Sequence, residues 1–201
     1  MIGFVKKHIA NFLTLLRLVM TPIFIALFLS GQYINALIIF VLAAITDFFD
    51  GKLARKYNIT DFGKIVDSLA DKFLVGAALI VFTYFPEKGL IPVWMVAVIL
   101  FREVLVTVLR SVFIARYGQV VPANIWGKLK ANTQMFAIVI VLILLAWYEL
   151  RPNFAELHQH LQGNQPYGYI FLMMCIPLVF TVGSGLQFLS ANRKALFGLL
   201  S

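Results

Sequence analysis

The chain has 201 residues, of which 61% are hydrophobic and only 13% charged, about half the charged share of an ordinary soluble domain. That balance excludes a soluble globular class and points to an all-α integral membrane protein forming one domain over residues 1–201. The net charge of +8 would suggest nucleic acid in a soluble protein. Here the cations flank apolar segments, which assigns them to anionic headgroups and topology and leaves no role for nucleic acid.

Residues before Asn11 form a short interfacial helix, with Phe4, Val5 and Ile9 toward lipid and Lys6 and Lys7 toward headgroups. The start superficially resembles a signal peptide. The apolar run from Leu18 is too long for that, and no A-x-A-like cleavage site follows it. Six segments have the length of a span: Asn11–Ser30, Tyr33–Tyr57, Phe62–Phe85, Ile91–Tyr117, Ile125–Tyr148 and Tyr167–Ser190. The first two are joined by a tight Gly31-Gln32 turn, the third and fourth by a turn at Pro86–Gly89. A longer loop near Glu149–Pro166 carries His158 and His160, whose i, i+2 spacing without further ligands makes a polar loop rather than a zinc site. Trp94, Trp147, Tyr148, Tyr167 and Tyr169 fall where an outer aromatic belt belongs. Cys175 stands alone in the last span as a buried thiol. No internal repeat is visible.

Six spans place both termini on one side. That side gathers Lys6, Lys7, Arg17, Lys52, Arg55, Lys56, Lys64, Lys72, Arg116, Lys128, Lys130, Arg193 and Lys194, against Lys88 and Arg151 on the other. Thirteen against two is a strong positive-inside bias, so both termini are expected in the cytoplasm. Arg102 and Arg110 remain inside the fourth span.

Against this apolar background, Asp47, Asp50, Asp67 and Asp71 are the informative residues. An ionisable group at membrane depth costs about 2.5 kcal/mol or more and marks function by default. Asp47, Asp50 and Ala54 share one face of the second helix by spacing, and Gly63, Asp67 and Asp71 one face of the third. The short connection Lys56–Asp61 makes these helices antiparallel neighbours, so the two acidic faces meet just inside the cytoplasmic surface. Four carboxylates together repel and would in part protonate. Hard divalent cations reverse that preference, and a carboxylate-bridged pair of them suits displacement at phosphorus. The alternatives, helix-pairing polar residues or a proton relay, need no such combination of Asp, Gly, Ala and Arg.

The pattern Asp47-x-x-Asp50-Gly51-x-x-Ala54-Arg55, then Gly63-x-x-x-Asp67-x-x-x-Asp71, resembles the signature of the CDP-alcohol phosphotransferase family at eight positions. The interval from Arg55 to Gly63 is one residue shorter than usual, a deletion that falls in the connecting loop. The resemblance implies two Mg²⁺ or Mn²⁺ ions held by Asp47, Asp50, Asp67 and Asp71, with Asp71 also the base for the acceptor hydroxyl. It implies that Gly51, Ala54 and Arg55 seat the cytidine diphosphate, with Asn11 and Thr14 of the N-x-x-T-x-x-R segment ending at Arg17. A homodimer in the bacterial inner (cytoplasmic) membrane, with its active site facing the cytoplasm, is implied in the same way.

Further segments resemble the bacterial branch of that family that transfers a phosphatidyl group from CDP-diacylglycerol to sn-glycerol 3-phosphate. They are Asn11 to Arg17, Asp67-Ser68-Leu69-Ala70-Asp71-Lys72, Arg102-Glu103 with Arg110, and Gly127-Lys128-Leu129-Lys130 with Gln134. Ser68 and Ala131 depart from the branch pattern, and the last third is matched by hydropathy alone. The residues agree with this reading: Glu103 can neutralise only one of Arg102 and Arg110, and the surplus invites a phosphate-bearing acceptor. Arg116 and Lys130 are expected to join them. A structural alternative pairs Arg102 with Glu103 or an Asp and lets Arg110 snorkel. Two other functions compete: the cardiolipin-synthase reaction, with phosphatidylglycerol as acceptor, and cation transport through the Asp cluster. Transport is disfavoured because no motif acid lies in the outer half and no repeated halves are visible.

Overall fold

The computed structural model describes residues 2–56, 61–84, 89–117, 125–151 and 168–193, with side chains throughout these except 2–14, 47–56, 61–71, 114–115, 117 and 125–128. Among them are six α-helices and no strand: α1 Ile2–Leu29, α2 Tyr33–Lys56, α3 Asp61–Thr83, α4 Val93–Tyr117, α5 Ile125–Leu150 and α6 Tyr169–Ala191. Each covers one expected span to within a few residues, apart from the start of α1. There the N-terminal segment is continuous with the first span rather than a separate interfacial helix. No proline interrupts Ile2–Thr21, so nothing ends the helix near Asn11. α4 begins at Val93, after Pro92, which disfavours helical geometry at Ile91.

Leu129–Leu150 and Tyr169–Ala191 are long and apolar enough to cross a membrane, and shorter apolar stretches run over Leu15–Leu29, Tyr33–Thr46 and Lys72–Thr83. Exposed faces are apolar as well as buried ones. Leu15, Val19 and Ile23 line the outside of α1, and Ile38, Leu42 and Ile45 that of α2. Water would not tolerate such stripes, and lipid does.

The chain divides into two compact units. The first holds Met1–Glu87 with Ile138–Gln159, the second Lys88–Ala137 with His160–Ser201, so α5 contributes to both.

In the first unit α1 packs along α2 and α3, and α2 also touches α3. Phe24 sits 5.5 Å from Phe40, and Phe28 lies 5.6 Å from Phe82 and 5.4 Å from Tyr33 by ring centroid. Each such pair contributes about 0.5–1.5 kcal/mol beyond area burial. Ala36 and Ala43 on α2 and Ala77 and Ala78 on α3 are buried, and small residues let helix backbones approach closely in lipid. The expected Gly31-Gln32 turn is a Schellman motif. Gly31 has φ 75°, Gln32 N–H donates to Leu27 O at 3.0 Å, and Gly31 N–H donates to Phe28 O at 3.1 Å. Glu149, at the end of α5, accepts from Ile34 N–H at 2.8 Å, placing an anion at the N-terminus of α2.

In the second unit α4 packs against α6. The buried face of α6 consists of Ile170, Met174, Pro177, Thr181, Ser184 and Gly185, the first five spaced alternately four and three as a packing seam requires. Phe113 of α4 stacks on Phe188 of α6 at 6.1 Å.

Candidate active site

The eight motif positions fall on two consecutive helices of the first unit. Asp47, Asp50, Gly51, Ala54 and Arg55 lie within α2, and Gly63, Asp67 and Asp71 within α3. α2 is unbroken helix through Lys56 and α3 from Asp61 onward, so each acidic pair is separated by about one helical turn. Just before the motif, Thr46 donates to Ala43 O at 2.7 Å and so satisfies its hydroxyl within the helix. The side chains of the four aspartates, and those of Gly51, Ala54, Arg55, Asn11 and Thr14, lie outside the described residues. Among the described residues there is no group of three or more His, Cys, Asp or Glu that could hold a metal. The donor set of the motif itself, four carboxylates and no nitrogen or sulfur, is the one that Mg²⁺ and Mn²⁺ select.

Arg17, counted above among the headgroup cations, is 0% exposed. It belongs to the interior of the first unit, where Thr21, one turn on in α1, donates its hydroxyl to Arg17 O at 2.9 Å. A buried guanidinium is a structural or functional group and not a topology signal.

The second unit carries the expected cationic residues, and the structure separates their situations. Arg102, half-buried in α4, donates from Nη2 to Ser184 Oγ on α6 at 2.8 Å. Ser184 in turn donates to Thr181 O at 3.0 Å. A Cβ placed on Gly185 would stand 3.1 Å from Arg102 Cγ and 3.3 Å from its Nε, so the arginine stem lies directly on the α6 backbone. Arg110 follows on α4, about 12 Å further along the axis. The Nε atoms of Arg102 and Arg110 are buried without a hydrogen-bond partner among the described residues. Lys130 on α5 is 7% exposed and its ammonium lies 2.6 Å from Glu103 Oε1. Arg116 is exposed in the last turn of α4.

Glu103 therefore pairs with Lys130, where an Arg102–Glu103 pair was the structural alternative. Among the described buried or half-buried charged side chains of this unit, three cations are set against one carboxylate. The arrangement suits an anion that Arg can grip bidentately. Ser184, Thr181 and Gly185 were not singled out by sequence, nor was Gln134 given a role. The usable signal was the small and polar run Thr181-Val182-Gly183-Ser184-Gly185 inside an apolar helix. Gln134 is 1% exposed, with Nε2 unpartnered among the described residues. The belt residues Trp94, Trp147 and Tyr169 are exposed, whereas Tyr167, His158 and His160 lie outside the described residues.

Comparison with known proteins gives the same family. The model of the CDP-alcohol phosphatidyltransferase family matches residues 7–183. A Bacillus subtilis protein named CDP-diacylglycerol–glycerol-3-phosphate 3-phosphatidyltransferase is 36% identical, with 94% of this chain and 97% of the relative covered. An Escherichia coli protein of the same name is 34% identical over the same shares. A Rickettsia prowazekii protein, also of that name, is 42% identical over 69% of this chain and 77% of its own length. With eight motif positions on α2 and α3 and a family match spanning most of its length, this membrane protein belongs to the CDP-alcohol phosphatidyltransferase family.

Proposed function

We propose that the chain transfers the phosphatidyl group of CDP-diacylglycerol to sn-glycerol 3-phosphate, releasing CMP and forming phosphatidylglycerophosphate. The observation that carries the choice of acceptor is the surplus of positive charge in the second unit, where, among the described buried or half-buried side chains, Arg102, Arg110 and Lys130 are set against one carboxylate, Glu103, which Lys130 engages. It agrees with the names of relatives aligned over 94% of the chain. A neutral acceptor would bring no added counter-charge to that surplus, and charge is costly in a membrane interior.

The reaction needs an oxygen nucleophile, a base and a stabilised leaving group. Asp71 takes the proton of the acceptor hydroxyl as its oxygen bonds to the lipid-bearing phosphorus, while the bond from that phosphorus to the CMP oxygen breaks and CMP departs with the electron pair. Asp47, Asp50, Asp67 and Asp71 would hold two divalent cations, Mg²⁺ or Mn²⁺, which when bound neutralise diphosphate charge and stabilise the leaving oxygen. Gly51 and Ala54 leave room for the nucleotide against the α2 backbone, and Arg55, Asn11 and Thr14 contribute polar contacts to it. Arg102 and Arg110 receive the acceptor phosphate, while Arg116, about 21 Å beyond Arg102 along α4, and Lys130, paired with Glu103, lend positive charge to its approach.

The placement that fits this chemistry is a single domain of six spans in a bacterial cytoplasmic membrane, termini and site on the cytoplasmic side, assembled as a homodimer. The Lys and Arg asymmetry supports the orientation. One substrate is lipid-anchored and the other soluble, and a site just inside that interface serves both.

The test is CMP release by detergent-purified protein with CDP-diacylglycerol and Mg²⁺ or Mn²⁺, comparing glycerol 3-phosphate, phosphatidylglycerol, inositol 1-phosphate and serine. Release with glycerol 3-phosphate alone supports the reading. Release only with another acceptor overturns the assignment of the arginines, and no CMP release with any of them returns cation transport to consideration.

A further inference from the structure

We infer that Ser184 and Gly185 of α6 are positioning residues that fix the orientation of Arg102 toward the phosphate of the acceptor. This rests on the acceptor reading above and deepens it, because it brings the last helix into substrate selection. Both residues lie just beyond the stretch matched by the family model, which ends at residue 183.

The two contacts restrain different parts of the same side chain. Ser184 Oγ holds the guanidinium head through Nη2 at 2.8 Å. Its own hydrogen is committed to Thr181 O at 3.0 Å, so Oγ faces Arg102 as an acceptor. Gly185 receives the stem: any side chain there would crowd Cγ and Nε at 3.1 and 3.3 Å. A flexible arginine is thereby held at head and stem, with no salt bridge to a carboxylate among the described residues. Ser184 is neutral and leaves the full positive charge available. Lys130, by contrast, is neutralised by Glu103 at 2.6 Å. An arginine serving only to tie helices together is expected to bridge to an acid; one oriented by a neutral serine, while Lys130 takes the ion pair with Glu103, is prepared for an anion that arrives. The buried Nε, without a partner among the described residues, leaves donor capacity beyond the bond to Ser184.

The test compares Ser184→Ala, Ser184→Thr, Gly185→Ala, Arg102→Ala and the Arg102→Ala/Ser184→Ala double variant in steady-state kinetics with both substrates varied. Ser184→Ala is expected to raise KM for glycerol 3-phosphate about ten-fold with KM for CDP-diacylglycerol unchanged. Ser184→Thr, which keeps the hydroxyl, is expected to recover most of the loss. The double variant should be no worse than Arg102→Ala alone, because Ser184 acts through that arginine. The inference is overturned, with the acceptor reading intact, if Arg102→Ala raises the acceptor KM and Ser184→Ala does not. It is equally overturned if Ser184→Ala impairs both substrates alike. Should Arg102→Ala leave the acceptor KM untouched, the acceptor reading itself fails and the inference with it. If Gly185→Ala does not fold, the serine variants carry the decision.

Discussion

Glu103 Oε1 meets Lys130 Nζ at 2.6 Å, joining α4 to α5 in the second unit, with both side chains largely buried at 13% and 9% exposure. A buried pair is costly to break from one side, because the remaining charge stays desolvated; the usual penalty is about 3–5 kcal/mol. Glu103→Ala is therefore expected to lower the thermal unfolding midpoint in detergent sharply. Glu103→Ala combined with Lys130→Met should recover much of that loss by removing the stranded ammonium. A double variant as unstable as the single one would show that the rest of Lys130's surroundings, and not Glu103, holds it.

The carboxylate motif makes a separate demand. Chelation with EDTA is expected to abolish CMP release and added Mg²⁺ or Mn²⁺ to restore it, since four aspartates at this spacing attract divalent cations. Asp71→Asn keeps size and polarity and removes the base. Turnover should fall at least about 10²-fold, while CMP binding measured by calorimetry persists. Full activity in Asp71→Asn would remove its role in proton transfer.

Arg110 provides the corresponding test of the acceptor. It is half-buried, with Nε unpartnered among the described residues. Arg110→Ala is expected to raise KM for glycerol 3-phosphate about ten-fold or more, by loss of a charge-assisted bond. KM for CDP-diacylglycerol should change little. Arg110→Lys should not restore the wild-type value, because an ammonium lacks the planar fork. Equal effects on both substrates would place Arg110 outside the acceptor site.

The helices were legible because apolar runs of span length leave few alternatives, and the acidic motif was legible because charge is expensive where it sits. What sequence could not supply was side-chain direction. Arg17 counted as a headgroup cation because positive-inside reasoning scores distance from a span end, and the structure buries it fully. An Arg102–Glu103 pair stood as the structural alternative to a phosphate-binding role. Neighbours one apart on a helix point about 100° away from each other, and Glu103 reaches Lys130 instead. Nothing in the sequence marks Ser184 and Gly185 apart from other small residues of an apolar helix; only the packing of Arg102 on them does.

The Gly31 turn separates backbone strain from packing. Gly31 adopts φ 75°, and a Cβ there would meet nothing within 4 Å. Gly31→Ala should therefore cost only the left-handed backbone conformation, about 1–2 kcal/mol, and Gly31→Asn less, because asparagine visits that region more readily. The turn joins α1 to α2 at the end away from Asp47 and Asp50, beside the Phe28–Tyr33 contact. Both variants are expected to lower the unfolding midpoint in that order while KM for each substrate stays unchanged. A fall in catalysis at preserved stability would mean that the register of α2, set at Gly31 and by the Glu149 bond to Ile34, is transmitted along the helix to its acidic end.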